Sequence, residues 1–323
     1  RRTHLEAAMI VDLPDTTVSK ISRALIDVRE EGGAVALGRV LTLIIVTTNG
    51  GTEDGIEAAN DASREHPMRV ISLRLDPEGE PKLDAEIRVG GDAGASEVVV
   101  LRASGDAASN VESLVTGLLL PDAPVVVWWP DNPPATPSQS PLGRIAQRRI
   151  TDASTVPFEA TRVAHLGDCY SPGDTDLAWT RLTHWREQLA AVLDQPPYEP
   201  ITAVEVRGAE TSPSTALLAA WLRLTLGVPV DWHYLSPDEW SDGIKSVRLT
   251  RASGDIVLER SSTAIACLTQ PGQPQHDLVL PRRTLRECLA EELRRLDADL
   301  LYGRVITEGW ALLDPPQSQE THG

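Results

Sequence analysis

The sequence predicts an α/β N-terminal domain, a layered sheet flanked by helices, followed by a smaller α+β C-terminal domain. Three observations lead there. In the first half, apolar β-branched runs alternate with segments of helical periodicity, the pattern of βα units with parallel pairing. In the second half, short alternating strands follow one another beside long helices. Between the halves, Pro130-Asp-Asn-Pro-Pro-Ala-Thr-Pro-Ser-Gln-Ser-Pro141 is extended and cannot join a sheet interior. A chain of 323 residues exceeds a typical domain of roughly 100–200 residues. We place the two domains at 1–168 and 169–323.

In the first half, Val18, Ile21, Leu25 and Val28 recur at spacings of three and four, marking one face of a helix through Glu30. Gly32-Gly33 stops it. Arg39 to Thr48 is apolar and β-branched and reads as a buried strand. Asn49-Gly50-Gly51 then turns the chain into a helix from Glu53 to Glu65. Val70–Leu75 and Glu97–Arg102 read as strands, and Ala107–Leu120 as a helix ended by Pro121. Val125–Trp129 is a continuous apolar strand closed by Pro130. Helices are expected on both faces of this sheet. A short helix over Leu142–Thr151 follows the proline-rich loop.

In the second half, Asp174 or Thr175 can cap a helix and complement its dipole. Its apolar stripe is Ala178, Leu182, Trp185, Leu189 and Val192, and Pro196-Pro197 stops it. Ile201–Val206 is a strand. Ser212-Pro213 is a cap with a first-turn proline for a helix through Leu226, apolar on most sides and so sandwiched. Lys245–Thr250, Asp255–Arg260 and Ala264–Leu268 alternate like antiparallel strands, with Ser253-Gly254 as the first turn. Thr284-Leu-Arg-Glu287 is a capping box opening a helix with Leu285, Leu289, Leu293 and Leu296 on its core side.

Composition narrows the function. A hydrophobic fraction of 41% with 24% charged residues is that of a globular protein whose core needs no disulfides. Cys169, Cys267 and Cys288 are widely spaced with no C-x-x-C, which suits a reducing cytoplasm. A formal charge of −17 would repel a phosphate backbone, which argues against nucleic acid. No apolar run approaches the ~20 residues that span a bilayer. Nothing at the start reads as a signal peptide, and Arg1 in place of Met points to residues upstream. The expectation is a cytoplasmic protein. Large rings are few and mostly Trp (Trp 8, Tyr 4, Phe 1), the residue favoured at interface hot spots; the alternative is that these Trp are core.

The search for chemistry is largely negative, and neither a catalytic residue, a metal nor a cofactor is expected. Gly50-Gly51 lies where a phosphate-binding loop would sit, but its spacing misses the dinucleotide fingerprint and no G-K-[ST] follows. An ordinary βα turn fits as well, and the glycine-rich Val89–Gly94 reads as a tight loop. His165 and Cys169 are four apart with no second pair to complete a tetrahedral site. No G-x-S-x-G elbow or S-x-x-K marks an activated nucleophile. Arg144, Arg148 and Arg149 follow the proline-rich loop, with Arg144 and Arg148 on one helix face. They could clamp a sugar phosphate, meet an acidic partner, or pair within the chain, for example with Asp152. Trp128 and Trp129 must face opposite sides of a sheet, so one can border the strand's ligand-binding end or both can be core.

The segment Tyr170-Ser-Pro-Gly-Asp-Thr-Asp-Leu-Ala-Trp-Thr-Arg181 is specific in sequence yet holds no nucleophile, base or ligand set. It resembles the signature of the OpcA family of glucose-6-phosphate dehydrogenase assembly proteins. So, in order, do Gly32–Val40, Ala58–Pro67, Arg88–Val98, Leu118–Pro130, Ala146–Asp152 and Leu280–Leu296. The resemblance implies a non-catalytic protein that binds glucose-6-phosphate dehydrogenase and promotes its assembly and allosteric activation in the oxidative pentose phosphate pathway. Cyanobacterial relatives are associated with redox control; here nothing in the sequence pairs Cys288, on a helix core side, with Cys169, in a loop. The candidate partner contacts are Trp128, Trp129, Arg144, Arg148, Asp174, Asp176, Trp179 and Arg181, aromatic anchors and charges near the interdomain connection. The competing reading is a sugar-phosphate- or nucleotide-using enzyme with a site at the strand ends near Gly50 and Trp129.

Overall fold

The computed structural model describes residues 9–31, 40–48, 52–90, 97–155 and 160–316. The turns expected at Gly32-Gly33, Asn49–Gly51 and Gly91–Gly94 lie outside them. The chain divides into two units. One comprises 1–152, 173–175 and 285–298; the other comprises 153–172, 176–284 and 299–323. Neither is a continuous stretch of the chain.

The first unit contains β1 (Met9–Leu13), α1 (Val18–Glu31), β2 (Leu41–Thr47), α2 (Thr52–Ala62), β3 (Met68–Asp76) and β4 (Lys82–Val89). It continues with β5 (Glu97–Ser104), α3 (Asp106–Ser109), α4 (Val111–Thr116), β6 (Val125–Trp129), α5 (Pro141–Ile145) and β7 (Arg148–Thr151). With β8 (Asp174–Asp176), the sheet order is β1-β4-β5-β3-β2-β6-β7-β8. The run from β5 to β7 is parallel, while β4 pairs antiparallel with both β1 and β5. Parallel strands covered on both faces are apolar throughout, and every residue of β2 and β6 is buried.

Alternation divides the core. Ile44, Val46, Ile71, Leu73, Val127 and Trp129 pack with Ile21 and Leu25 of α1, Val115 of α4 and Leu142 of α5. Trp128 and Ile45, register partners, point the other way onto α2. Gly55 lets that helix settle: a Cβ there would lie 3.3 Å from Ile45 Cγ2 and 3.6 Å from Trp128 Cζ3. At the opposite end of the sheet, Arg69 Nε donates to Glu97 at 2.7 Å across the β3–β5 register, and both side chains are buried.

Several expectations are corrected. The helix read over 107–120 breaks at Asn110, whose side chain accepts from Ser113 N–H at 3.2 Å and starts α4 afresh. The helix read over 142–151 ends at Ile145: Ala146 is extended (ψ 136°), and Gln147 Oε1 accepts from Val125 N–H at 2.7 Å. Residues 148–151 then form β7, so Arg144 and Arg148 do not share a helix face. Strands β1 and β4 are additions to the elements read above. In β4 Lys82, Asp84, Glu86 and Arg88 alternate with the buried Leu83, Ala85 and Ile87, the period-two pattern of a half-covered strand.

The second unit contains α6 (Ala160–Asp168), α7 (Leu177–Thr180), α8 (Thr183–Leu193), β9 (Ala203–Ala209), α9 (Pro213–Leu226) and β10 (Val230–Leu235). It ends with β11 (Ile244–Thr250), β12 (Ile256–Arg260), β13 (Ile265–Thr269), β14 (His276–Val279) and, beyond α10 (Leu285–Arg294) of the first unit, α11 (Leu300–Arg304). The sheet runs β10-β9-β11-β12-β13-β14, with β9 and β10 parallel across the α9 crossover and the other pairs antiparallel. Strand β10 is likewise an addition. Helix α9 is buried nearly all round, as its composition predicts. The expected stripe Ala178, Leu182, Trp185, Leu189 and Val192 is buried, but on two helices rather than one. The cap of α7 is Asp176, not Asp174 or Thr175: its Oδ1 accepts from Ala178 N–H at 2.8 Å.

The capping box opens α10 (Leu285–Arg294), yet this helix belongs to the first unit. It packs on α2 and buries Cys288, Leu289, Glu292 and Leu293. Its basic positions also meet the first unit: Arg286 pairs with Asp61 at 2.7 Å and Arg294 with Glu65 at 2.9 Å.

Candidate functional site

The signature segment is built inward. Gly173 has φ +99°, and its carbonyl accepts from Arg149 N–H at 2.9 Å. Asp174 pairs with the Arg149 guanidinium, whose Nη1 also donates to Ala146 O at 2.9 Å. Asp176, fully buried, additionally accepts from Ala153 N–H at 3.0 Å. Trp179 Nε1 donates to Asp299 Oδ2 at 2.8 Å, and the Arg186 guanidinium stacks 3.8 Å above the Trp179 ring. Tyr170 meets Tyr302 edge-on at 6.1 Å, the ring resting where Gly303 has no side chain. These residues hold the fold together through charge-assisted bonds and ring contacts.

Six of the eight predicted contacts are buried. Trp128, Trp129 and Trp179 are 0%, 4% and 1% exposed, so the core alternative for the tryptophans is the one observed. Arg148 is buried and donates to Glu292 and to Asp297 O, so its pairing within the chain excludes a ligand clamp. Asp174 and Asp176 are buried as described. Arg144 is exposed, donating to Gln139 O at 2.8 Å, and Arg181 is half-buried, with Nη1 on Ser154 Oγ at 3.0 Å. Among the described residues no group of three or more His, Cys, Asp or Glu could hold a metal ion, and no helix is long and apolar enough to cross a membrane.

Two surfaces escape a reading of the sequence because they depend on strand register. In the second unit the outward sheet face carries a row of charged residues, Asp231–Glu205–Arg248, with Arg248 Nε 3.3 Å from Glu205 and Nη1 2.8 Å from Asp255. At the edge of the sheet, Ile265 and Val279 are register partners, 40% and 81% exposed. In the first unit, the carboxyl ends of β3 and β5 and the start of β4 line a hollow of about 290 Å³. The neighbouring crevice where the strand order reverses, between β2 and β6, is bridged: Thr48 N–H donates to Asp131 at 3.2 Å and Asn132 Nδ2 to Thr48 Oγ1 at 2.8 Å.

Beside the hollow, Arg88 grips Glu53 in the first turn of α2 with two bonds of 2.9 and 3.0 Å. That hydrogen bonding holds the Glu53 carboxyl below its ordinary value of 4.5, against the opposing effect of burial. A depressed carboxylate contributes stability above its unfolded pKa and loses it as pH falls through the folded value. Glu53→Gln is thus expected to lower stability at pH 7 and to converge with the parent protein as pH falls below about 4.5, flattening the acid limb; equal stability at pH 7 with an unchanged acid limb in urea titrations would refute the coupling.

Comparison with known proteins identifies the family. Residues 59–168 match the glucose-6-phosphate dehydrogenase subunit N-terminal domain of the OpcA family, and residues 172–306 match its C-terminal domain. The chain belongs to the OpcA family. Among its relatives are two proteins described as candidate OxPP cycle protein OpcA. The one from Synechococcus elongatus is 29% identical over 155 residues, covering 44% of this chain and 34% of the relative. The one from Synechocystis sp. is 26% identical over 155 residues, covering 44% and 32%. The matched stretch thus spans about a third of these relatives. Solved structures of a candidate oxidoreductase from Magnetospirillum magnetotacticum (TM-score 0.43, 12% identity, 85% of this chain and 99% of that one) and an oxidoreductase from Sinorhizobium meliloti (0.41, 10%, 82% and 86%) align along the chain. Scores this low carry no argument for this OpcA-family chain.

Proposed function

We propose that the chain is a non-catalytic subunit of the oxidative pentose phosphate pathway that binds glucose-6-phosphate dehydrogenase and favours its assembled, active form. The observation that supports this reading is the succession of two OpcA-family domains, described as parts of a glucose-6-phosphate dehydrogenase subunit, across residues 59–306. A protein that binds the active oligomer more tightly than the inactive form shifts the population by that difference, and equal affinity for both would do nothing. For the contact we assign the edge strand β14 with the apolar pair Ile265 and Val279, a free strand edge on which a partner can lay its own backbone. Arg144 and Arg181 are retained as polar contacts; the six buried members of the set of eight act by holding the scaffold.

Mixing the chain with the dehydrogenase is expected to give co-elution in size-exclusion chromatography and altered kinetics of that enzyme across substrate concentrations. Val279→Asp should weaken the complex at least ten-fold with little change in folding, because the side chain is 81% exposed. Separate elution together with unaltered kinetics would overturn the functional reading. Unchanged affinity of the Val279→Asp variant would remove β14 from the interface.

A further inference from the structure

The hollow of the first unit is set by strand register. Arg74 of β3 lies beside Arg102 of β5, which lies beside Asp84 of β4. Two residues further along, Asp76, Ser104 and Lys82 form a second row. With a side-chain period of two, both rows project from the same face of the sheet, and adjacent strands are only about 4.8 Å apart. The result is a platform of six polar side chains at the strands' carboxyl ends, where open α/β sheets present ligands.

Its charges are not balanced from within. Like charges directly opposite one another on neighbouring strands destabilise a sheet, yet two arginines stand side by side in a chain of formal charge −17. Arg102 reaches Glu86 at 3.3 Å, and Lys82 is held by Asp84 at 2.8 Å. Among the described residues, Arg74 and Asp76 have no side-chain partner. A free guanidinium beside a second one suits a phosphate, which accepts from both. A free carboxylate two residues away suits the hydroxyl groups of a polyol, and Asp84 beyond it, which holds Lys82 at 2.8 Å and accepts from Asp15 N–H at 2.9 Å, still has acceptor sites to spare.

Size and lining narrow the class. The volume of about 290 Å³ lies at the small end of ligand pockets, roughly 300–1,000 Å³. Leu75 and Ala103 between the two rows turn their side chains to the core on the other face, and among the described residues the hollow has no aromatic ring on which a base could stack. That favours a sugar phosphate over a nucleotide.

We propose that this platform is a binding site for a sugar monophosphate, with Arg74 and Arg102 holding the phosphate and Asp76 and Asp84 the hydroxyl groups. The site is distinct from the β14 contact and needs no dehydrogenase to be present.

Isothermal titration of the full chain at low ionic strength, without the dehydrogenase, tests it. Glucose 6-phosphate or ribose 5-phosphate is expected to bind at least ten-fold more tightly than inorganic phosphate, and glucose and AMP more weakly still. Arg74→Gln should lose at least ten-fold in affinity with no fall in melting temperature, because the side chain is exposed and its removal relieves the repulsion from Arg102. Asp76→Asn should weaken the sugar phosphate while leaving inorganic phosphate unaffected. No binding of either sugar phosphate at millimolar concentration would overturn the proposal. Equal binding by the Arg74→Gln variant, or inorganic phosphate or AMP bound as tightly as the sugar phosphates, would do the same. Each of these failures leaves co-elution with the dehydrogenase unaffected, so this site and the partner reading fail separately.

Discussion

Glu292→Leu is expected to destabilise the first unit by about 3–5 kcal/mol, the usual consequence of leaving one charge of a buried pair alone. Arg148 and Glu292 are 4% and 5% exposed, on β7 and α10 respectively. The guanidinium donates to Glu292 through Nη2 and to Asp297 O at 2.6 Å through Nη1, while its Nε has no partner among the described residues. Removing the carboxylate leaves one carbonyl to compensate a buried cation. The accompanying double substitution, Arg148→Met with Glu292→Leu, should recover most of the loss, because apolar groups of similar volume often replace a buried pair at little cost. Denaturant-induced unfolding of the three proteins checks this. A single-variant loss below about 1 kcal/mol, the ceiling for an exposed pair, would show that α10 does not seal Arg148 from water.

This pair also shows what the residues disclose in advance and what they do not. Local signals are reliable. The apolar runs around Ile44 and Val127 and the periodic stripe from Ala178 to Val192 place their elements, because burial imposes a period that short-range sequence records. The capping box at Thr284–Glu287 locates the start of α10. Which unit α10 joins is not legible, since Leu285, Leu289 and Leu293 describe an apolar face and not what it meets. Charge misleads at Arg148, where a cation that reads as a surface group is internal, its partner lying 144 residues away. Trp128 and Trp129 are correctly assigned to opposite faces, but the layer of α2 over one of them depends on Gly55, whose role appears only when the helix is seated. The Arg74–Arg102 platform requires register, which composition does not contain.

Gly173→Val is expected to cost about 3 kcal/mol or more, placing it with the severe single substitutions. Two physical effects combine at this position. At φ +99° the backbone lies where L side chains are strained, worth about 1–3 kcal/mol by itself. A Cβ would also lie 2.5 Å from Gln147 O and 2.9 Å from Arg149 Nη2, backbone and an ion-paired guanidinium that cannot both retreat. Moving the carbonyl of residue 173 would break its bond from Arg149 N–H at 2.9 Å and disturb the Arg149–Asp174 pair that follows. Gly227→Ala provides the control: φ is +68° there, but nothing lies within 4 Å of the added carbon, so about 1 kcal/mol of backbone strain is expected alone. If both variants unfold at the same denaturant concentration, the contact with Gln147 has no energetic weight. If Gly173→Val unfolds far earlier and also fails to bind the dehydrogenase, while Gly173→Ala loses stability and binding in proportion, the signature segment supports the interface through the fold. A Gly173 variant that keeps its stability but loses the partner would instead return this segment to the binding surface, against its buried geometry.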